Sequence, residues 1–149
     1  TFDIYEMVAA LAESTKILAA DKNVEFKLEG SSGILINADE FKLEEVVTNY
    51  ISNAIKHVSD NGKIEIRLIP DEDRVKLEVY NTGSAIPKED IEHIWDKFYK
   101  VDKAHSRDYG GTGIGLSIVK AILELHDMPY GVENVDDGVM FWFEAKIQK

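Results

Sequence analysis

The sequence predicts an α+β fold, a two-layer sandwich in which one mixed, mostly antiparallel sheet carries helices on one face. Long segments with helical apolar periodicity alternate with short segments in which every second residue is apolar. Turn-forming residues separate the short segments, which is typical of antiparallel hairpins. The 149 residues fit a single domain with its own core, and no repeat or interdomain linker divides them.

Each element is predicted from its own pattern and its flanking caps or turns. The predicted helices span residues 3–22 with Asp3 as the cap, 37 or 39 to about 60, a short 88–94, and 114–126. The predicted strands span residues 24–28, 34–36, 63–69, 75–80, 130–134 and 139–147. All of these strands are expected to join one sheet.

Composition excludes several classes of function. The net charge of −11 argues against DNA or RNA as the main partner. No apolar run approaches the roughly 18 residues that span a bilayer. The absence of cysteine fits a reducing compartment. Because the chain starts with a threonine, we expect it to be a piece of a longer protein, with any membrane segment lying upstream.

The second long helix carries a polar stripe opposite its apolar face. The stripe consists of Glu45, Asn49, Asn53 and Lys56. Asparagine is only a fair helix former, so an exposed stripe more usually holds Glu and Lys. An amide carbonyl can ligate Mg²⁺, and an amide N–H or a lysine can contact phosphate. The stripe fits either a metal–phosphate site or a solvated face, and the helix alone does not choose between them.

A glycine run precedes the last helix and reads Gly110-Gly111-Thr112-Gly113-Ile114-Gly115. Glycines allow close approach to the backbone, and a helix N-terminus offers N–H groups and a positive dipole end. The spacing matches neither a dinucleotide fingerprint nor a Walker A loop. A phosphate chain is the natural ligand, although a glycine cluster alone also fits a hinge or a plain turn.

Two more segments fit a nucleotide site. Residues 100–109 are basic-leaning within an acidic protein, as expected for a mobile lid over phosphates or for a solvated loop. Asn81 ends a strand just before Gly83, which suits recognition of a flat heterocycle, although Asn is also common in turns. The four histidines lack zinc-ligand spacing, and no Gly-x-Ser-x-Gly motif supports a serine nucleophile.

Four segments occur in a fixed order along the chain. They are Asn49-x-x-x-Asn53-Ala54-x-Lys56-His57, Asn81-Thr82-Gly83-Ser84-Ala85-Ile86-Pro87, Asp96-Lys97-Phe98-Tyr99-Lys100-Val101-Asp102 and Gly111-Thr112-Gly113-Ile114-Gly115-Leu116. They resemble the N box, the first glycine box, the F box and the second glycine box of bacterial sensor histidine kinases. The resemblance is to the catalytic, ATP-binding domain of these kinases, within the superfamily of gyrase B, Hsp90 and MutL. It covers essentially the whole chain and implies a Bergerat-type fold.

The resemblance also implies roles for the matching residues. Asn49 would hold Mg²⁺, and Asn53 would support the metal and the phosphate chain. The residues implied to be catalytic are Asn49, Lys56, Arg107 and, at the position of the general base in gyrase-like relatives, Glu45. The residues implied to bind Mg²⁺-ATP are Asn49, Asn53, Lys56, His57, Asn81, Gly83, Ile86, Lys100, Lys103, Arg107, Gly111, Thr112, Gly113, Ile114, Gly115 and Leu116.

The first glycine box departs from the family pattern Asp-x-Gly-x-Gly. This chain has Asn81 where the family Asp accepts a hydrogen bond from the adenine amino group, and Ala85 in place of the second glycine. Asn81 can still accept through its carbonyl oxygen, but as a neutral group. We therefore expect weaker adenine binding, and relaxed selectivity if the Asn amide donates to a guanine carbonyl.

The resemblance implies that residues 1–149 form a single catalytic domain that donates the γ-phosphate of Mg²⁺-ATP to a histidine. None of the four histidines matches an acceptor context, so the acceptor is expected on an upstream helical dimerisation domain, outside this chain together with any sensor domain. A response regulator would receive the phosphoryl group. We expect this domain to be cytoplasmic and monomeric, within a homodimeric, membrane-anchored bacterial sensor.

Three alternatives stay open at this point. Glu45 could activate water in an ATP-hydrolysing member of the superfamily, although the F box and the basic lid disfavour this function. A serine kinase of the anti-sigma type has a similar size. Asn81 and Ala85 also permit a non-catalytic module that senses nucleotide or docks a partner.

Overall fold

A computed structural model describes residues 1–99 and 115–149. The elements in order are β1 (Phe2–Asp3), α1 (Ile4–Thr15), a 3-10 helix (Lys16–Lys22), β2 (Glu25–Glu29), β3 (Leu35–Ile36), α2 (Glu40–His57), β4 (Lys63–Pro70), β5 (Arg74–Thr82), a 3-10 turn (Lys88–Asp90), α3 (Gly115–Leu125), β6 (Tyr130–Val135) and β7 (Gly138–Lys146). The helices pack on one face of the main sheet, so the predicted two-layer α+β fold is confirmed. Within the described ranges, no helix is both long and apolar enough to cross a membrane.

The main sheet has five strands in the order β2-β4-β5-β7-β6. Strand β2 runs parallel to β4, and every other pair is antiparallel. The central strand β5 places Asn81 opposite Ile64 on one side and Val139 on the other. Asn81 therefore lies at the end of a fully paired strand, where the backbone on both sides fixes its position.

The alternation predicted for the strands separates a buried face from a charged face. The buried residues facing the helices are Ile64, Ile66, Leu68, Val75, Leu77, Val79, Val139, Phe141, Phe143 and Ala145. On the other face, Arg67 and Glu78 lie directly opposite each other, with 3.8 Å between Nη1 and Oε1. Charged side chains let this face contact water without a covering layer. The core therefore lies between the sheet and the helices.

Helix α2 is anchored to the sheet by Tyr50. Its ring is fully buried 5.3 Å from that of Phe141, and its hydroxyl donates to the carbonyl oxygen of Trp142 at 3.1 Å. Burial raises the pKa of this phenol well above its ordinary value. Because Tyr50 reaches across the layer to β7, the rotation of α2 about its axis is set, and with it the direction of the polar stripe.

His126 connects the C-terminal end of α3 to the N-terminal end of α2. The Nε2 atom of His126 accepts from the backbone N–H of Asp39 at 3.2 Å, and its Nδ1 lies 2.9 Å from the carbonyl oxygen of Ile122. The carbonyl can only accept, so the proton is assigned to Nδ1. Asp39 is the N-cap of α2, with its carboxylate accepting from the N–H of Lys42. His126 therefore fixes the end of α3 against the start of α2.

The prediction of a single sheet is wrong for the N-terminal strands. Strand β1, predicted as the start of a helix, pairs with β3 in a separate two-stranded sheet. Asp3 explains this arrangement because its two carboxylate oxygens accept hydrogen bonds from different segments of the backbone. One oxygen accepts from the N–H of Tyr5 at 2.9 Å and caps α1, while the other accepts from the N–H of Gly33 at 2.7 Å. The cap is thus tied to the turn before β3.

Two predicted helices are also shorter than expected. Helix α1 ends at Thr15 and continues only as a 3-10 helix, because the Thr15 hydroxyl bonds back to the carbonyl of Leu11 at 2.7 Å and competes with the helical backbone pattern. The predicted helix 88–94 is helical only over Lys88–Asp90. Turns follow it, such as the bond from the N–H of His93 to the carbonyl of Asp90.

Trp95 closes the core beside β6 and β7. Its ring meets those of Tyr130 and Phe141 edge-on, at centroid distances of 5.0 and 5.7 Å. The hydroxyl of Tyr130 donates to Glu124 of α3 at 2.9 Å. This cluster connects the segment after the first glycine box to both the sheet and α3.

The Tyr130 phenol should make the fold sensitive to alkali. Partial burial, and then the bond to Glu124, raise the pKa of Tyr130 from 10.0 to about 12. The neutral phenol therefore contributes stability that is present below pH 10.0 and lost as the pH rises through about 12. We expect the melting temperature of the wild type to fall more steeply over this range than that of Tyr130→Phe. Equal slopes for the two proteins in thermal denaturation would contradict this assignment.

Candidate functional site

A pocket lies where the polar stripe of α2 meets the first turn of α3. Its lining residues are Asn49, Ser52, Asn53, Lys56, Gly115 and Leu116. Five of these were predicted from the sequence, and two helices far apart in the chain supply them. Ser52 is the residue that sequence reasoning missed. Its spacing of three residues from Asn49 and four from Lys56 places it on the same side of the helix and could have revealed it.

Asn49 has a fixed orientation in this pocket. Its Nδ2 donates to the backbone carbonyl of Glu45 at 2.9 Å. Since that carbonyl can only accept, Nδ2 is the atom that faces it, and Oδ1 is the atom directed toward α3. A methyl group built on Gly115 would lie 2.9 Å from this Oδ1. The glycine therefore leaves room for a carbonyl-type oxygen at the N-terminus of α3.

Asn53 is the least satisfied polar group of the site. The residue is only 6% exposed, and neither Oδ1 nor Nδ2 has a hydrogen-bond partner among residues 1–99 and 115–149. An unpaired buried polar group costs about 1–3 kcal/mol. A ligand that enters the pocket can remove this cost, because an amide offers both a donor and an acceptor. The residues present thus fit a hydrated metal ion with phosphate oxygens.

The rest of the pocket adds positive charge. Lys56 lies one turn beyond Ser52 on the exposed side of α2. Gly115 begins α3, whose first turn contributes the positive end of a helix dipole. Leu116 is buried and closes the pocket on the core side. Because the protein has a net charge of −11, an anion can bind only where local groups such as Lys56 and the N-terminus of α3 offset the repulsion.

Asn81 faces the helix layer from the end of β5, where it is 2% exposed. Its Nδ2 donates to the carbonyl of Thr82 at 3.0 Å, which leaves Oδ1 as an acceptor. Two residues on, Gly83 has φ +150°, and a methyl group there would lie 2.4 Å from the carbonyl oxygen of His57. Only glycine lets the loop pass this closely beneath the end of α2.

The loop after Asn81 is also connected to the turn between β6 and β7. The N–H of Gly83 donates to the carbonyl of Asp137 at 2.9 Å. Asn134 accepts from the N–H of Ile86 and donates to its carbonyl, both at 2.9 Å. Sequence reasoning missed Asn134, because a contact between residues 48 positions apart leaves no local signal.

The other predicted site residues differ in how the structure places them. Glu45 contributes its backbone carbonyl to Asn49, and its carboxylate does not line the pocket. Ile86 is almost fully buried, and His57 is the last residue of α2. The predicted lid and glycine-run residues Lys100, Lys103, Arg107, Gly111, Thr112, Gly113 and Ile114 lie outside the described residues.

Comparison with known proteins decides the family. Residues 38–149 match the model of the family described as histidine kinase-, DNA gyrase B- and HSP90-like ATPase. This chain belongs to that family. The matched residues include α2, the loop after β5 and α3, which line or border the pocket.

Curated and solved relatives agree with this assignment. The chain is 31% identical over 142 residues to the sensor protein VanSB of Enterococcus faecalis, covering 95% of this chain and 32% of VanSB. The nucleotide-free catalytic domain of histidine kinase ThkA has a TM-score of 0.86 at 29% identity, covering 99% of this chain and 97% of that one. The family and fold predicted from the sequence are thereby confirmed.

Two structures of longer kinases contain bound molecules. Full-length ShkA in complex with AMPPNP has a TM-score of 0.84 at 26% identity, covering 99% of this chain and 31% of ShkA. ThkA in complex with the response regulator protein TrrA has a TM-score of 0.82 at 27% identity, covering 99% of this chain and 41% of that one. This chain spans about a third or less of the curated relatives it matches.

Substitution of Gly115 should separate nucleotide binding from stability. In Gly115→Ala the new methyl group displaces the Asn49 amide, whose Oδ1 lies 2.9 Å away. A side chain can move at little cost to the fold, and Ala is a better helix former than Gly by up to about 1 kcal/mol. We expect an unchanged or higher melting temperature, with affinity for Mg²⁺-ATP reduced roughly tenfold or more by calorimetry. Unchanged affinity would show that Asn49 does not contact the ligand.

Proposed function

We propose that this domain binds Mg²⁺-ATP between α2 and α3 and donates the γ-phosphate to a histidine on a separate helical dimerisation domain. The observation that carries the proposal is the buried amide of Asn53, which has no partner in the described part of the chain, one turn from the Oδ1 of Asn49 that faces Gly115. Membership in the ATPase family supports ATP as the nucleotide. The AMPPNP complex of ShkA supports a triphosphate ligand in this fold.

The residues of this chain would act mainly by positioning. Asn49 would hold Mg²⁺ through Oδ1, and the metal would supply charge neutralisation on the phosphate oxygens. Asn53 would donate its amide N–H to the phosphate oxygens, and Lys56 would add a positive charge beside them.

The base would be recognised at the other end of the site. One N–H of the Asn81 amide nitrogen donates to the carbonyl of Thr82, which fixes the amide with Oδ1 on the side away from that carbonyl. An acceptor there fits the exocyclic amino group of adenine and opposes the carbonyl oxygen of guanine. We therefore propose that adenine is preferred, in place of the relaxed selectivity expected from the Asn side chain alone.

We also propose that a response regulator receives the phosphoryl group. The complex of ThkA with TrrA supports this, since it joins such a kinase to a response regulator. ATP hydrolysis through Glu45 has less support, because the Glu45 carboxylate does not line the pocket. The homodimeric and membrane-anchored state of the whole protein stays a proposal that follows from the resemblance to sensor kinases.

Replacing Asn53 with an apolar residue of similar size tests the nucleotide site. In Asn53→Leu an unpaired buried amide is removed, so we expect the protein without nucleotide to be as stable as the wild type or up to about 2 kcal/mol more stable. We also expect the rise in melting temperature on adding millimolar Mg²⁺-ATP to disappear. A variant that keeps this rise would remove Asn53 from the binding site.

Val47→Ala is the matched control on the opposite face of the same helix. Val47 is fully buried in the core, so its truncation should lower the melting temperature. The further shift caused by Mg²⁺-ATP should persist at saturating nucleotide. Asn53→Leu should keep or raise the melting temperature and lose the nucleotide-induced shift, whereas Val47→Ala should lower the melting temperature and keep the shift. This contrast separates damage to the site from damage to the fold.

A reconstituted transfer reaction tests the kinase activity itself. This domain is mixed with the helical dimerisation domain of its own full-length protein and with Mg²⁺-ATP labelled at the γ-phosphate. We expect an acid-labile, alkali-stable phosphoprotein, which is the signature of phosphohistidine. Release of free phosphate without labelled protein would favour an ATP-hydrolysing relative, and failure to bind nucleotide would favour a docking module.

A further inference from the structure

We propose that Asn134 is a positioning residue for base recognition, and this inference rests on the proposed binding of ATP. Asn134 lies on β6, at the opposite edge of the sheet from the parallel strand β2. It would act through the loop that follows Asn81, keeping that loop in the shape that presents the Asn81 acceptor to the nucleotide base.

The geometry of Asn134 supports this role. Its Oδ1 accepts from the N–H of Ile86, and its Nδ2 donates to the carbonyl of the same residue, both at 2.9 Å. One side-chain amide thus pairs with both backbone groups of Ile86, as a neighbouring strand would do. The side chain of Ile86 is 1% exposed, so its backbone groups lie beside the core, where lost hydrogen bonds are costly.

The same hairpin also holds the first half of the loop. Asp137 accepts from the N–H of Gly83 at 2.9 Å, and a methyl group on Gly138 would lie 1.9 Å from the carbonyl oxygen of Asn81. The β6–β7 hairpin therefore contacts the loop on both sides of its two exposed residues, Ser84 and Ala85. Of these contacts, the one at Ile86 is made by a side chain and can be removed without changing any backbone.

Asn134 is suited to substitution because the residue itself is exposed. Truncation creates no core cavity, so the fold should survive. Glu133, the preceding residue on β6, is also exposed and borders the charged face of the sheet. Glu133→Ala is therefore a matched control that removes a side chain from the same strand without touching the loop.

The experiment compares two nucleotides by calorimetry with the wild type, Asn134→Ala and Glu133→Ala. Mg²⁺-ATP offers an amino group to Asn81, whereas the Mg²⁺ complex of purine riboside triphosphate lacks that group. We expect Asn134→Ala to lose roughly tenfold in affinity for Mg²⁺-ATP, equivalent to one or two net hydrogen bonds. Affinity for the purine analogue should change less than about threefold, so the ratio of the two affinities falls. Glu133→Ala should retain the wild-type ratio.

Amide hydrogen exchange reports on the loop directly. The Ile86 N–H should exchange at least about tenfold faster in Asn134→Ala than in the wild type without nucleotide. Asn134→Asp retains an acceptor for this N–H but loses the donor to the Ile86 carbonyl, so it should preserve most of the protection. Its affinity for Mg²⁺-ATP should fall between those of the wild type and Asn134→Ala.

The outcomes separate this inference from the proposed function. Equal losses for ATP and the purine analogue in Asn134→Ala would overturn the positioning role while leaving ATP binding intact. An unchanged Ile86 exchange rate would overturn it as well. If the wild type binds no Mg²⁺-ATP, the proposed function fails, and the inference fails with it.

Discussion

The proposed site depends on one unpaired group, the buried amide of Asn53. A folded chain ordinarily pairs such a group or replaces it, because leaving it unpaired costs free energy in every molecule. Here both amide atoms lack a partner in the described ranges while the residue is only 6% exposed. Among the described residues nothing offsets this cost, and a polar ligand that enters beside Asn49 and Gly115 can do so. In the proposed nucleotide site, stability without ligand would thereby be exchanged for affinity, which is the usual relation at a binding site.

That exchange works only if α2 cannot turn to expose Asn53. Tyr50, one turn before Asn53 on the side of the helix that packs on the sheet, restrains such a rotation by packing on Phe141 and donating to the carbonyl of Trp142. His126 adds a second restraint where the helix begins. The apolar face thus does more than stabilise the fold, because it determines where the polar stripe points.

Sequence reasoning succeeded where the cause was local. The stripe of α2 and the alternation of β4, β5 and β7 follow from spacing, and the structure has both. It failed where a distant partner decided the outcome. Phe2–Asp3 became a strand because β3 was available, and Asn134 became part of the site region because Ile86 lies beside it in space. The α2–α3 pocket could be predicted because each half carries its own pattern, while the loop restraint could not.

The two ends of the site are therefore built on different physical principles. The proposed phosphate end is carried by helices, in which Asn49 donates to the carbonyl of Glu45 on its own helix and Gly115 begins α3. The base end is a loop whose shape depends on bonds to another hairpin. Asn81 in place of an aspartate weakens the acceptor, so correct placement of that acceptor matters more here than with a charged group. In the proposed nucleotide site the β6–β7 hairpin supplies this placement, and the edge strand β6 thereby takes part in nucleotide recognition.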